Sequence, residues 1–240
     1  MPTPKVRYDE LLPHEFRARL AACPVAYLPL GTLEWHGEHL PLGTDAIISE
    51  DLMCCCAREL GGIVVPPIHL GPDRSCYDEE GRHLQGMDYA ASTVPARPLD
   101  GSCYWVPAEL FNYLIDCILA QLQRAGFKAV FADGHGPSRF CWVSEIASRR
   151  THFDLKLLGV TEAYGKEWRC QMDHAACNET SLVLAARPEL VDLTRLPIDR
   201  EVPPQGVSGK DPRDACVDYG RQCRAASLAI VAKMLRDAGI

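Results

Sequence analysis

The sequence predicts an α/β fold with a mostly parallel central sheet and helices on both faces. Three observations predict it. Short apolar runs that end at Gly or Pro alternate with longer segments of helical period along the chain. The apolar runs are continuous rather than alternating, as strands buried on both faces require. Clusters of His and carboxylate residues directly follow two of these runs, where the carboxyl ends of parallel strands place sites.

The elements follow in order. Val25–Leu30 reads as a buried strand ending at Gly31. Ala46–Leu60 reads as a helix, with Thr44 or Asp45 near its N-cap and Gly61-Gly62 as its stop. Ile63–Val65 is a short strand ended by Pro66-Pro67. Residues 66–104 are irregular, and a loop that long in a compact domain is usually functional. Pro107–Ala125 is the clearest helix, with Leu110, Leu114, Ile118 and Leu122 on one face and Gly126 as its cap. Lys128–Ala132 is a strand, with Asp133-Gly134-His135-Gly136 as the turn after it. A helix over Ser138–Arg149, a strand over Leu155–Thr161 and a helix over Asn178–Ala186 come next. The 189–212 loop leads to a last amphipathic helix, Arg213–Ala238.

Length and composition bound the function. The 240 residues fit one domain spanning 1–240, and 47% apolar residues supply a sizeable core. A net charge of -7 with no Lys/Arg run argues against nucleic acid as a partner. No apolar stretch approaches a membrane span, and MPTPKVRYDELLPHEF lacks the apolar region of a signal peptide. A cytoplasmic location is expected. The 12 cysteines include three in a row, Cys54-Cys55-Cys56, and form no Cys-x-x-Cys. Most are therefore expected to be small buried hydrophobes, not disulfides or a zinc ribbon.

Gly31 to Asp45, GTLEWHGEHLPLGTD, carries the densest chemistry. Imidazole and carboxylate together suit zinc, manganese or iron. Alternation along an extended segment points Glu34 and His36 to one side. Glu38 and His39 fit solvated loop charges instead. In the second segment, the glycines around His135 allow close approach to a ligand, but an ordinary strand-to-helix turn would look the same. The third segment, Asp173-His174-Ala-Ala-Cys177-Asn-Glu179-Thr180-Ser181, places Glu179 in a helical first turn. A carboxylate there also complements the helix dipole, and Thr180 and Ser181 fit caps.

Taken in order, these three segments resemble the creatininase (creatinine amidohydrolase) family. Its patterns are Gly-Ser-x-Glu-Gln-His-Gly-x-His-Leu-Pro-x-x-Thr-Asp, Asn-Gly-His-Gly-Gly-Asn and His-Ala-Gly-x-x-Glu-Thr-Ser. The resemblance spans roughly 24–191. It implies a three-layer α/β/α sandwich, two divalent metal ions and a homohexamer. It implies Glu34, His36, Asp45 and His135 as ligands, with Asp45 bridging, Glu34 and His135 completing one site, and His36 the other. Creatinine-cleaving relatives take a further carboxylate from two positions after the second-motif His. Here that position is Pro137, and Glu179 is the expected replacement. His174 matches the family's acid/base histidine.

Departures from the pattern predict a substrate other than creatinine. Gly136 stands where creatinine-specific relatives carry Tyr, and Cys170-Gln171 where they carry Trp-Asp. The segment 71–89 replaces the family's Gly-Ser-x-Glu-His and Phe-Pro-Gly-Thr. The expected activity is hydrolysis of a C–N bond in a small polar cyclic amide or formamide. Its alternative is hydrolysis of a keto-inositol or sugar-derived cyclic ketone, for which Arg74, Asp78, Arg82, His83 and Gln85 would meet a polyol; a solvated subunit contact explains the same loop. A non-enzymatic binding module is disfavoured by the intact His174.

Overall fold

The computed structural model describes residues 4–240. Helix α1 (Pro13–Ala22) precedes strand β1 (Val25–Leu30), which leads through helix α2 (Thr44–Glu59) to strand β2 (Ile63–Val64). A small hairpin, β3 (Ser75–Tyr77) and β4 (His83–Gln85), interrupts the connection to helix α3 (Ala108–Ala125). Strand β5 (Ala129–Gly134), helix α4 (Gly136–Arg149) and strand β6 (Lys156–Leu158) follow. The short α5 (Glu162–Gly165), then α6 (Cys177–Ala186) and α7 (Val217–Asp237) come last.

The central sheet is parallel throughout, in the order β2-β1-β5-β6. From β1 the chain first crosses to β2 on one side, then returns to β5 on the other. The carboxyl ends of β1 and β5 therefore flank a topological switch point, where such sheets open a crevice. Side chains alternate between two cores. Val25, Tyr27, Ala129 and Phe131 pack with residues of α2, α6 and α7. Ala26, Leu28, Leu30, Val130 and Ala132 pack with α3 and α4. All six residues of β1 and of β5 are buried, which explains their unbroken apolar runs. The three-layer sandwich predicted from sequence is the observed architecture.

Several details differ. Helix α3 buries Phe111, Ile115, Leu119 and Leu122, while Leu110 is exposed and Leu114 and Ile118 lie at the margin. Two apolar stripes run side by side on this helix, and the one carrying the aromatic ring faces the sheet. Residues 66–104 are not wholly irregular, since Ser75–Tyr77 pairs with His83–Gln85. The strand 129–134 absorbs Asp133 and Gly134, which the sequence places in a turn. No element is predicted over 13–22, yet a helix forms there. It buries no residue fully and so leaves no amphipathic signature; Arg19 ties it down through Ala57 O and Gly62 O. All 12 cysteines are free thiols as expected, but only five are buried and four are exposed.

Candidate metal centre

Four elements converge at the carboxyl ends of β1 and β5. The register pairs Leu30 with Gly134. Gly134 has φ +151°, and a Cβ there would lie 1.7 Å from Leu30 O. Only glycine lets the strand ends close this tightly. His135 follows at once, its N–H donating to Leu30 O at 2.8 Å, so its ring enters beside the segment after β1. That segment carries Glu34 and His36 and is pinned by Glu34 N–H to Leu42 O (3.1 Å) and Trp35 N–H to Ser102 Oγ (2.7 Å). The first turn of α2 adds Asp45, with Gly43 rather than Thr44 or Asp45 as N-cap. The first turn of α6 adds Glu179.

Glu34, His36, Asp45, His135 and Glu179 are all buried. Asp45 Oδ2 lies 3.6 Å from His36 Nε2 and 3.4 Å from His135 Nδ1. Glu34 Oε1 is 3.4 Å from His135 Nδ1, and Glu179 Oε2 is 3.7 Å from His36 Nε2. Ligands bound to a tetrahedral ion at ~2.0–2.2 Å stand roughly 3.3–3.6 Å apart. The donor spacing therefore matches what such an ion requires. Glu34 Oε2, His36 Nε2, Asp45 Oδ2 and His135 Nε2 are buried with no hydrogen-bond partner among the described residues. Orphaned polar atoms concentrated at one point are costly unless an ion or water satisfies them. Three carboxylates and two imidazoles suit zinc, manganese or iron. The residues present fit a pair of divalent ions.

Two of the histidine rings, His36 and His174, are oriented by their second nitrogens. His36 Nδ1 faces Glu34 O at 3.1 Å, leaving Nε2 for the centre. His174 Nε2 faces Trp35 O at 2.8 Å, so Nε2 carries the proton and Nδ1 is free. That Nδ1 is 3.8 Å from Glu34 Oε1, and the ring stacks on His36 at 4.3 Å between centroids. The backbone of His174 pairs in both directions with Ser208, N–H to O and O to N–H, each at 2.9 Å. Asp173 serves as a helix cap, accepting from Asn178 N–H and Glu179 N–H. Glu179 Oε2 also accepts from Ala175 N–H at 2.7 Å. Asp133 is paired with Arg139 and is not a donor to the centre.

The charges oppose one another. Burial pushes Glu34 and Asp45 up, but His135 beside Glu34 and His36 beside Asp45 outweigh it and hold both carboxyls below the usual range. Burial, then Asp45 and Asp173, drive Glu179 well above it. Burial and the neighbouring His36 lower His174 to about 4. His39 departs from the solvated role expected of it. It is buried, with Nε2 3.0 Å from Thr180 Oγ1, and burial lowers it to about 4. Glu38 is exposed as expected.

A cleft of about 640 Å³ opens over the centre. Glu34, Asp45, His135, His174 and Glu179 form its floor. Pro72, Arg74, Met87, Pro137 and Phe140 form much of its wall. Of the polar residues 74, 78, 82, 83 and 85, only Arg74 lines this cleft. Asp78 and Arg82 bond each other instead. Asp73, absent from the sequence-based set, lies against the centre, with Oδ2 3.9 Å from His135 Nε2. Donor atoms of Glu34, Asp73 and His135 come within 4.8 Å of one another, as do those of His36, Asp45 and Glu179 and those of Glu34, His36 and His174. Gly71 and Gly86, whose spacing around residue 73 is visible in the sequence, were the available signal.

Comparison with known proteins identifies the fold and the family. A creatinine amidohydrolase of Pseudomonas putida is 28% identical over 231 residues, covering 85% of this chain and 81% of the relative. A manganese form of creatininase superposes with a TM-score of 0.71 at 22% identity, covering 98% of this chain and 99% of its own. A zinc–zinc form of a mutant creatininase gives 0.68 at 20% identity, with coverage of 98% and 99%. The family profile described as creatininase, creatinine amidohydrolase, matches residues 9–235. With nearly the whole length matched, the chain belongs to the creatininase family.

Proposed function

We propose that this chain is a metal-dependent amidohydrolase that cleaves a C–N bond of a small polar cyclic amide or formamide. Two divalent ions, zinc, manganese or iron, would be held by Glu34, His36, Asp45, His135 and Glu179. The observation that carries the reading is the position of Asp45 Oδ2 between His36 and His135, in a buried site of unpartnered donors. The manganese and zinc–zinc forms of the structural relatives support the choice of metals.

Bound there, divalent ions supply a polarised carbonyl and a water acidified toward neutral pH. The chain's own residues do the rest. His174 Nδ1 faces the cleft unprotonated while its Nε2–H is fixed on Trp35 O. It can take a proton from water and deliver it to the leaving nitrogen. The apolar wall at Pro72, Met87 and Phe140 suits the face of a flat heterocycle, and Gly136 leaves the floor without a side chain. The cyclic-ketone alternative loses the polar loop side chains it relied on, because only Arg74 reaches the cleft. A homo-oligomer, a hexamer by family resemblance, belongs to the same proposal.

The test is metal content by mass spectrometry, with hydrolysis of a panel of cyclic ureas (creatinine included), lactams and formamides after zinc, manganese or iron loading. Asp45→Ala should lose both ions and all turnover. A wild-type chain that binds no metal and is inactive with all three would refute the reading.

A further inference from the structure

We infer that Asp73 is a positioning residue for the metal centre, acting through His135. The inference rests on the proposed metal site and adds a member outside the ligand set.

Three observations carry it. First, His135 presents Nδ1 to Glu34 and Asp45, so Nε2 is the nitrogen left to bear a proton. That nitrogen is buried and has no hydrogen-bond partner among the described residues. The other two histidines at the centre anchor their second nitrogens on backbone oxygens, Glu34 O and Trp35 O. A metal-binding imidazole almost always does so, and a carboxylate is a common acceptor. Second, Asp73 Oδ2 is the carboxylate oxygen facing His135 Nε2, at 3.9 Å. Its Oδ1 is engaged by Arg74 N–H at 2.7 Å, which fixes the carboxylate plane and leaves Oδ2 free. At 3.9 Å Asp73 Oδ2 and His135 Nε2 are beyond hydrogen-bond distance, and an approach of roughly 1 Å would join them. Third, the backbone is shaped to bring Asp73 there. Gly86 has φ +57°, and a Cβ on it would lie 2.5 Å from Asp73 Oδ2 and 3.5 Å from Glu34 Oε2. Gly86 N–H donates to Arg74 O at 3.0 Å, closing the loop around the carboxylate.

The geometry argues against Asp73 as a direct ligand. Its oxygen lies on the Nε2 side of the His135 ring, whereas Asp45 and one oxygen of Glu34 face Nδ1.

The test is competition with a chromogenic chelator, run on the full chain stripped of metal and reloaded with zinc. Wild type should bind two equivalents. Asp73→Ala should still bind two, with one of them weakened ~10–100-fold, the usual cost of an outer partner. Asp73→Asn, which keeps a carbonyl acceptor, should recover most of that affinity. The metal-free melting temperature should change little in either variant. Equal affinity for both ions in wild type and Asp73→Ala would overturn the inference. So would loss of a whole equivalent, as in His135→Ala, because Asp73 would then be a ligand. A wild type that binds no zinc fails the metal reading itself, which separates the two failures.

Discussion

Replacing Gly134 by alanine tests whether the closure of the two strand ends builds the centre. The new Cβ would sit 1.7 Å from Leu30 O and 2.6 Å from Leu30 C. A carbon approaches a carbonyl oxygen no closer than ~3.3 Å, so the strand ends must part by roughly 1.6 Å. Holding a non-glycine residue at this φ costs about 1–3 kcal/mol. Overpacking at the contact adds about 1–3 kcal/mol. The sum, about 2–6 kcal/mol, is a large fraction of the ~5–15 kcal/mol that holds a domain together. His135 is the next residue, so it moves relative to Glu34 and Asp45. A misplacement of ~1 Å can remove about two orders of magnitude in rate. The assay is urea unfolding of the metal-free protein, followed by zinc titration of the folded fraction. Gly136→Ala is the stability control, because a Cβ there meets nothing within 4 Å. Its unfolding midpoint should stay close to wild type. A Gly134→Ala protein as stable as Gly136→Ala, with unaltered affinity for two ions, would refute the reasoning.

Three further outcomes are expected. Glu179→Gln keeps an acceptor for Ala175 N–H but loses the anion 3.7 Å from His36. One ion should weaken by more than the ~10–100-fold cost of an outer partner, and unchanged affinity would reduce Glu179 to a helix-terminal role. His174→Asn should retain both ions and slow turnover ~10²–10⁴-fold; loss of metal would make His174 a ligand. His39 is held near 4 against an ordinary value of 6.5, so the folded state disfavours its proton. The unfolded chain binds more protons between those values, and stability falls as pH drops from 6.5 toward 4. The shift is worth about 3 kcal/mol at most. His39→Gln should flatten that slope in metal-free denaturation curves, and an equal slope in the variant would exclude His39 as its source.

The main strands and helices were legible because burial on both faces writes itself into unbroken apolar runs. Val25–Leu30 matches to the residue. Helix α3 shows where periodicity stops short of selecting a face. Its two adjacent apolar stripes are equivalent on paper, and only contact with the sheet selects Phe111 over Leu110. Helix α1 was invisible, since its half-buried face carries no hydrophobic period. At the centre, residues next to strand ends could be read from position, and Glu34, His36 and His135 converge with Asp45 and Glu179 as the resemblance implied. His39 was misread because the irregular fold of residues 31–45 buries consecutive side chains, Glu34, Trp35 and His36, then His39 and Leu40, where strand periodicity would expose every second one. Asp73 was missed because Gly71 and Gly86 mark a turn without saying what it closes on; its proximity to His135 depends on a loop closing over some fourteen residues.

His174 reaches the cleft on a backbone clasped to Ser208, not on a strand end. The proposed ligands hang from β1, β5, α2 and α6, while Ser208 belongs to the long connection between α6 and α7. Under the proposed roles, catalytic speed then depends on one part of the chain, this connection, that carries none of the proposed metal donors. Changes within 187–215 can re-aim His174 by fractions of an ångström without touching a single metal donor. Such variants would carry full metal and altered rates. A protein engineer seeking a faster enzyme should therefore search that connection first, and one seeking a different metal should leave it alone.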